Sequence, residues 1–356
     1  MRNIQRDYKM MKRKVWIVSW YGIQAGGLER VVQIINRVLE SDYDVEIIDI
    51  SYISRSIGCH SLLKIKNRLA LMVIFSIYAT LRDKKYDIII THGQNAPFIR
   101  SDFLFDHGSI MSLKREIGEC VYGGSSIFEW IAVKNAKLNI AVSKWTKEQI
   151  INNYHVKEDR VIVLNNCVET SMFYPVPHNN NEKVTILFCG RLEKAKGIDI
   201  LLQIADLVET SEIFKLAIAA NTSDNAFLFL NRKNINIKCG TPVDLMNDFY
   251  NSGDVLFVPS QCEGFGMGIV ESLAAGIPVV TNKVGIVSEL IEGGCPGIEL
   301  VEMGETAEGV LLKMYDVAKR NQEFDRRLAM HSFVEKYYGV EQYRNKLLKI
   351  IGACYA

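Results

Sequence analysis

Short runs of apolar and β-branched residues alternate along this chain with longer stretches in which apolar positions recur every three or four residues. That is the pattern of a parallel α/β architecture. In the first half it predicts strands over Val15–Ser19, Val45–Ile50, Asp87–Thr91, Leu138–Val142 and Arg160–Leu164. A loop with Gly22, Gly26 and Gly27 separates the first strand from a helical pattern over Leu28–Leu39. Pro175, Pro177 and the polar run His178–Glu182 then interrupt the alternation and read as an interdomain linker. Beyond them the pattern restarts. Strands are predicted over Val184–Cys189, Phe214–Ala220, Ile235–Lys238, Val255–Val258 and Pro278–Thr281, with helices over Gly197–Thr210 and around Ile269–Ala275. A last helical pattern covers Phe333–Ile351. One architecture repeated in two halves predicts an α/β fold of two Rossmann-like domains facing across a cleft, divided into 1–175 and 176–337. Ligands of open α/β sheets bind beyond the carboxyl ends of the strands, so loops that directly follow strands are where chemistry is sought.

Composition fits this picture and narrows the partners. The 356 residues are 48% hydrophobic and 23% charged, an ordinary globular balance at a length suited to about two domains. With 42 Lys and Arg against 41 Asp and Glu, the chain has no basic excess of the kind that nucleic acid selects. The halves differ: residues 1–180 carry 24 basic against 18 acidic side chains, the remainder 18 against 23. The first half is therefore the one suited to an anionic surface. The eight cysteines form no CxxC pair, which reads as reduced thiols in a cytoplasmic protein. Val15–Val18 is too short to be the apolar core of a signal peptide, and Leu69–Leu81 is too short to span a bilayer. Leu69–Leu81 lies between Lys64, Lys66 and Arg68 on one side and Arg82, Lys84 and Lys85 on the other. Being apolar nearly all round, it is expected to be a core-facing helix, its basic ends still able to approach lipid headgroups.

The richest segment runs from Val258 through Pro259-Ser260-Gln261-Cys262-Glu263-Gly264-Phe265-Gly266-Met267-Gly268 to Glu271. It leaves a predicted strand and enters a predicted helix. Three glycines remove Cβ atoms where backbone must pass close to something, and the first amides of a helix make an anion site suited to a diphosphate. Read alone, Glu271 is an acid complementing the helix dipole and Glu263 a loop charge. The strand before them, the glycines between them and Ala274-Ala275-Gly276-Ile277-Pro278 after them make a more specific pattern. A second strand–loop–helix segment, Gly190-Arg191 to Lys196-Gly197, supplies two cations able to neutralise a diphosphate.

These segments together resemble the GT-B fold glycosyltransferases of family 4, the large retaining group. The family's E-x7-E motif is matched by Glu263 and Glu271, and its G-R-x4-K-G pattern by Gly190-Arg191 and Lys196-Gly197. The resemblance covers nearly the whole chain and is sharpest over 184–290. It implies that Arg191 and Lys196, with Gly266, Met267 and Gly268, hold the donor phosphates, that Glu263 contacts the donor sugar, and that Glu271 takes the ribose. It also implies an acceptor domain over 1–175 and a donor domain over 176–337, with a C-terminal helix at about 338–356 packing back on the first. Gly27, in Gly26-Gly27-Leu28-Glu29-Arg30, is similar to the family's N-terminal Gly-Gly loop near donor phosphate and acceptor. His107 resembles the histidine that lines the cleft near the reacting sugar and stands beside Glu263 as a catalytic candidate, with His92 its competitor. The segment Asn166-Cys167-Val168-Glu169 departs from the family's Asn-Gly-Val-Asp, which bears on local turn geometry. Asp42-Tyr43-Asp44 matches a DxD, the metal-binding signature of the other major glycosyltransferase fold, but its place before a strand reads as a solvated turn.

The activity implied is retaining transfer of a hexosyl group from a nucleoside diphosphate sugar, UDP- ahead of GDP-, to a hydroxyl acceptor such as a lipid-linked or cell-surface glycan precursor. No metal and no other cofactor is expected. The expected partners are the nucleotide sugar, the acceptor and an anionic membrane surface at the inner face, with no nucleic acid. A nucleotide-sugar epimerase, or a non-catalytic sugar-nucleotide binding protein of the same fold, is the alternative. A nicotinamide oxidoreductase would place G-x-G-x-x-G after the first strand, a spacing that Gly22, Gly26 and Gly27 lack.

Overall fold

The computed structural model describes residues 12–19, 27–65, 67–82, 86–108, 126–177 and 182–355. Among them two six-stranded parallel sheets carry the architecture, so the α/β class read from the sequence is the one adopted. The first sheet has β1 (Lys14–Val18), β2 (Asp44–Ile48), β3 (Ile88–His92), β4 (Phe103–Asp106), β5 (Leu138–Ala141) and β6 (Val161–Val163), in the order β2-β1-β3-β4-β5-β6. The second has β7 (Val184–Gly190), β8 (Phe214–Ala220), β9 (Ile235–Cys239), β10 (Val255–Val258), β11 (Val279–Thr281) and β12 (Ile298–Leu300), in the order β12-β11-β10-β7-β8-β9. Counted from β7, this is the 3-2-1-4-5-6 order of dinucleotide-binding sheets. Its topological switch point falls between β7 and β10.

The described residues divide into two compact units, the first from residues up to Phe105 together with Ile131–Leu138, the second from the rest. In the first unit β1 runs between β2 and β3. Val15, Trp16, Ile17 and Val18 are accordingly all fully buried, which is why this strand reads as a continuous apolar run rather than an alternation. The second strand ends at Ile48, short of the expected Ile50, because Asp49 caps the helix Ile50–Ile57 and its side chain accepts from the Tyr52 amide at 2.6 Å. The helix Arg68–Arg82 corrects an expectation. Leu71, Met72, Phe75, Tyr78 and Ala79 are buried as foreseen, but Leu69, Val73, Ile77 and Leu81 are exposed. A helix laid on a sheet covers only one side, and nothing described covers the other. Asp42 sits in the turn before β2, accepting from Ser41 Oγ at 2.6 Å. Gly22, Gly26, Lys66, Lys84 and Lys85 lie outside the described residues.

In the second unit the central strands send alternate residues to opposite faces. Ile186, Phe188, Leu216, Ile218 and Phe257 pack with Leu201, Ile204 and Val208 of the helix Ile198–Glu209 and with Val310, Met314 and Val317 of the helix Ala307–Arg320. Leu187, Leu256 and Val279 face the other way, against Ile269, Val270 and Leu273 of the helix Met267–Ala274 and Met330 and Val334 of the helix Phe324–Tyr338. Arg327 is buried in this second layer. Its guanidinium donates to the carbonyls of Gly276 (3.1 Å) and Val176 (2.8 Å) and to Asn251 Oδ1 (2.7 Å), which anchors the chain next to Pro175 and Pro177. Of the run His178–Glu182, only Glu182 is among the described residues. The expected continuous helix over Phe333–Ile351 is interrupted: Phe324–Tyr338 and Val340–Tyr355 are separate helices. At the break Gly339 forms a bridge with Val168, whose amide donates to the Tyr338 carbonyl at 2.9 Å.

Candidate active site

The site residues follow from the second sheet. Strands β7 and β10 are parallel neighbours, with Val255 opposite Ile186 and Leu256 opposite Leu187, so the loops that leave their carboxyl ends emerge side by side. The first is Gly190–Gly197 and the second Pro259–Gly266. Three contacts hold them together. Lys196 Nζ donates to Glu263 Oε1 at 2.6 Å. The Gln261 amide donates to the Ala195 carbonyl at 3.0 Å. Gly197 sits so tightly on Pro259 that a Cβ there would lie 2.3 Å from the Pro259 oxygen, and its φ of +76° is one a larger residue resists. The glycine at this place in the motif is therefore required twice over, by conformation and by contact.

Glu263 is the junction of the two loops. Its Oε1 also accepts from Ser260 Oγ at 2.8 Å. The Lys196 and Glu263 side chains are 20% and 14% exposed, so the ion pair is partly screened from water without being sealed from it. Arg191 is more open and is engaged by Glu193 of its own loop, with Nη1 to Oε2 at 3.2 Å and Nη2 to Oε1 at 3.0 Å. That two-pronged contact aligns the guanidinium plane.

The glycine loop is pinned from behind. The Gly264 carbonyl accepts from Ser143 Oγ at 2.6 Å and from Thr146 Oγ1 at 2.8 Å, both hydroxyls fully buried. The Phe265 carbonyl accepts from the Ile286 amide at 2.9 Å. Because a trans peptide points its N–H opposite its C=O, the amides of Phe265 and Gly266 face away from those anchors. Gly266, at φ +95°, then turns the chain into the helix Met267–Ala274, so Met267 and Gly268 occupy the first positions, where amides have no partner within the helix. A run of amides at a helix start of this kind suits an anionic group. Gly264 is itself in close contact with the segment after β4: a Cβ would come within 1.8 Å of the His107 carbonyl oxygen.

His107 directly follows β4, a strand that the sequence pattern had not predicted, and so sits at a strand's carboxyl end. Burial lowers its imidazole to about 4, leaving the ring neutral near pH 7. Burial also raises the carboxyl of the neighbouring Asp106 to about 6, against the opposing pull of the Gly108 amide, which donates to Oδ1 at 2.9 Å. The competing His92, in the first unit, is fully buried and stacked on Phe105 at 5.3 Å. Gly27 also belongs to the first unit, where it opens the helix Gly27–Leu39.

Glu271 is buried at 2% exposure, and its Oε2 accepts from the hydroxyl of Tyr250 at 3.0 Å. Tyr250 is fully buried, with its oxygen 3.3 Å from Cys189 Sγ, and burial raises both hydroxyl and thiol, the thiol to about 12. Gly268 closes the group, since a Cβ there would lie 2.9 Å from Cys189 Sγ. Sequence reasoning found Glu271 and Gly268, and the segment Ala141-Val142-Ser143-Lys144 is similar to a family landmark, but Tyr250 and Thr146 were missed. Nothing in Asn247–Ser252 marks a tyrosine that reaches a helix 21 positions later. Only the need of a buried phenol for a partner hints at it.

Two parallel sheets, with a two-loop site at the switch point of the second, define an α/β protein of the GT-B class. Residues 183–317 match the family model described as glycosyl transferases group 1. An uncharacterized glycosyltransferase of Methanocaldococcus jannaschii is 28% identical over 242 residues, 60% of this chain and 62% of that relative, so the match spans less than two thirds of the relative's length. Among solved structures, sucrose-phosphate synthase from Thermosynechococcus elongatus aligns with a TM-score of 0.73 at 13% identity, covering 97% of this chain and 99% of that one. Anabaena HepE in complex with UDP-glucose aligns with a TM-score of 0.71 at 17% identity, covering 96% and 100%. At these identities the structural likeness speaks for the fold.

Proposed function

We propose that this chain is a retaining, family 4 glycosyltransferase that moves a hexosyl group from a nucleoside diphosphate sugar to a hydroxyl acceptor. The observation that carries the reading is the Lys196–Glu263 pair, at 2.6 Å, joining the two loops at the β7/β10 switch point directly ahead of the helix that Gly266 opens. In this reading Arg191, Lys196 and the amides of Gly266, Met267 and Gly268 take the donor diphosphate and stabilise it as it leaves, with no divalent metal called upon. Glu263 meets the donor sugar, Glu271 the ribose, and His107, kept neutral by burial, offers a hydrogen bond near the reacting carbon. Gly27 approaches the donor phosphate from the domain over 1–175, which binds the acceptor, while 176–337 binds the donor.

UDP is the favoured carrier, a choice supported by the structural likeness to a protein crystallised with UDP-glucose. The acceptor is a lipid-linked or cell-surface glycan precursor, and the chain meets it as a cytoplasmic protein held peripherally at the inner face of the membrane. The basic balance of the first half supports that placement.

A thermal-shift panel of UDP-, GDP- and ADP-sugars tests the donor, since a ligand that binds only the native state raises its unfolding temperature. A UDP-sugar is expected to give the largest shift, and to be consumed with release of UDP when a hydroxyl acceptor is supplied. No shift with any nucleotide sugar would overturn the reading. A shift without transfer to any acceptor would leave a binding protein in its place.

A further inference from the structure

The helix Arg68–Arg82 presents apolar side chains on two sides, and only one of them is covered. Its covered side is Leu71, Met72, Phe75 and Ala79, each at most 1% exposed. On the other, Leu69, Val73, Ile77 and Leu81 are 52%, 44%, 56% and 80% exposed. These four recur every fourth residue, so they form one slowly winding row, about 18 Å long at 1.5 Å per residue. Single exposed apolar residues are ordinary, whereas a contiguous row marks a surface that something covers. Ile57 and Leu63, earlier in the same unit, are exposed apolar side chains as well. The helix Ile50–Ile57 is tied to the same element by the Tyr78 hydroxyl, which donates to Ser56 Oγ at 2.8 Å.

Charge decides what covers it. From Ile50 through Arg82 the sequence has no aspartate or glutamate, while Arg55, Lys64, Lys66, Arg68 and Arg82 all fall within that span. Asp49 and Asp83 bound that span, so the row lies in a stretch whose charge is net positive. A second copy of this chain, applied through the same surface, would set basic flanks against basic flanks. A single-helix row is also much narrower than the ~800 Å² per partner of a standard protein interface. An anionic lipid surface answers both features: headgroups meet the lysines and arginines, and the acyl boundary receives the apolar row to a depth of about 5–10 Å. Among the described residues no helix is long and apolar enough to cross a membrane, so the helix would lie in the interface plane.

We propose that Leu69, Val73, Ile77 and Leu81 form the surface by which this protein docks on an anionic bilayer, steered by the basic residues that flank them in the sequence. The inference rests on the reading of the chain as a peripheral membrane protein and assigns the surface that does the work.

The full chain is mixed with vesicles of neutral phosphatidylcholine, or of phosphatidylcholine with phosphatidylglycerol, and the bound fraction is read by flotation. The native chain is expected to bind the anionic vesicles at least about tenfold more tightly than the neutral ones, and to be released by salt. Val73→Glu with Ile77→Glu is expected to weaken that binding by about tenfold or more. Leu69→Gln with Leu81→Gln, a milder pair at more exposed positions, is expected to act in the same direction with an unchanged unfolding temperature. A native chain that ignores anionic vesicles overturns both the peripheral reading and this surface. Equal binding by native chain and both variants overturns the surface alone. A dimer of the native chain that the variants dissolve would assign the row to a second copy and overturn the proposal.

Discussion

Lys196 and Glu263, 67 positions apart, meet at 2.6 Å and close the switch point of the second sheet. Each belongs to a different strand–loop–helix unit, and each is only partly exposed. A lysine and a glutamate paired in this way hold one another in place. Removing either partner leaves the other charge partly buried and alone.

Lys196→Ala and Glu263→Ala should therefore each cut sugar transfer by about 100-fold or more, the usual loss when one electrostatic stabiliser is removed. Turnover of the UDP-sugar is the readout, with circular dichroism to show that the fold persists. The double variant should lose less than the product of the two single losses, because the residues act as a unit. Near-native turnover by both single variants would refute the assignment.

Gly197→Ala is expected to destabilise the protein by about 2 kcal/mol or more, for two separate reasons. The new methyl would lie 2.3 Å from the Pro259 oxygen, and φ +76° strains a residue with a Cβ. Urea unfolding measures the loss. Gly58→Ala, at φ +67° with open space around it, isolates the conformational share and should cost distinctly less.

Tyr250→Phe removes the hydroxyl that donates to Glu271 Oε2 inside the core. The stability cost should be about 1–2 kcal/mol, that of a buried acceptor deprived of its donor. If Glu271 takes the ribose diol, the variant should also discriminate less well between UDP and 2′-deoxy-UDP. Calorimetric titration with the two nucleotides reads this directly. Unchanged discrimination with lowered stability would make Tyr250 a packing residue only.

The pair Asp106 and His107 predicts opposing pH dependences. The His107 imidazole is lowered to about 4, so the unfolded chain takes up its proton first and stability is lost as pH falls from about 6.5 to about 4. The Asp106 carboxyl is raised to about 6, so the folded chain takes up that proton first and stability is gained over nearly the same window. Asp106→Asn should remove the gain. The variant should be more stable than the native chain at pH 7, by an amount that shrinks as pH falls through 6 toward 4. Over that window its acid destabilisation should be steeper by up to about 1.4 kcal/mol per pH unit. Chemical unfolding at a series of pH values tests this, and parallel curves would contradict it.

What the sequence by itself determined is the part that rests on local physics. Strand runs such as Phe214–Ala220 and Val255–Val258 carry their own period and end where the structure ends them. The glycine loop was legible because it stands between a strand run and a helix run, but only Gly266, at φ +95°, answers a local constraint; Gly264 and Gly268 are kept small by His107 and Cys189, far away in the sequence. β4 and β12, of four and three residues, were not read from the pattern, whereas β10 and β11, equally short, were, so length alone does not separate them. The expected strand Val45–Ile50 took in Asp49, which is instead a helix cap, because the side chain's choice of the Tyr52 amide is made only once the helix forms.

Tertiary structure alone decided which distant groups share a partner and which apolar faces are covered. The strand order that sets β10 beside β7 brings Lys196 to Glu263, and the same packing lays Tyr250 under Glu271 and two hydroxyls under Gly264. The helix Arg68–Arg82 makes the point most directly. Its sequence is apolar all round and reads as core, but a sheet can cover only one side of a helix. Leu69, Val73, Ile77 and Leu81 therefore remain exposed, an outcome of geometry that no periodicity records.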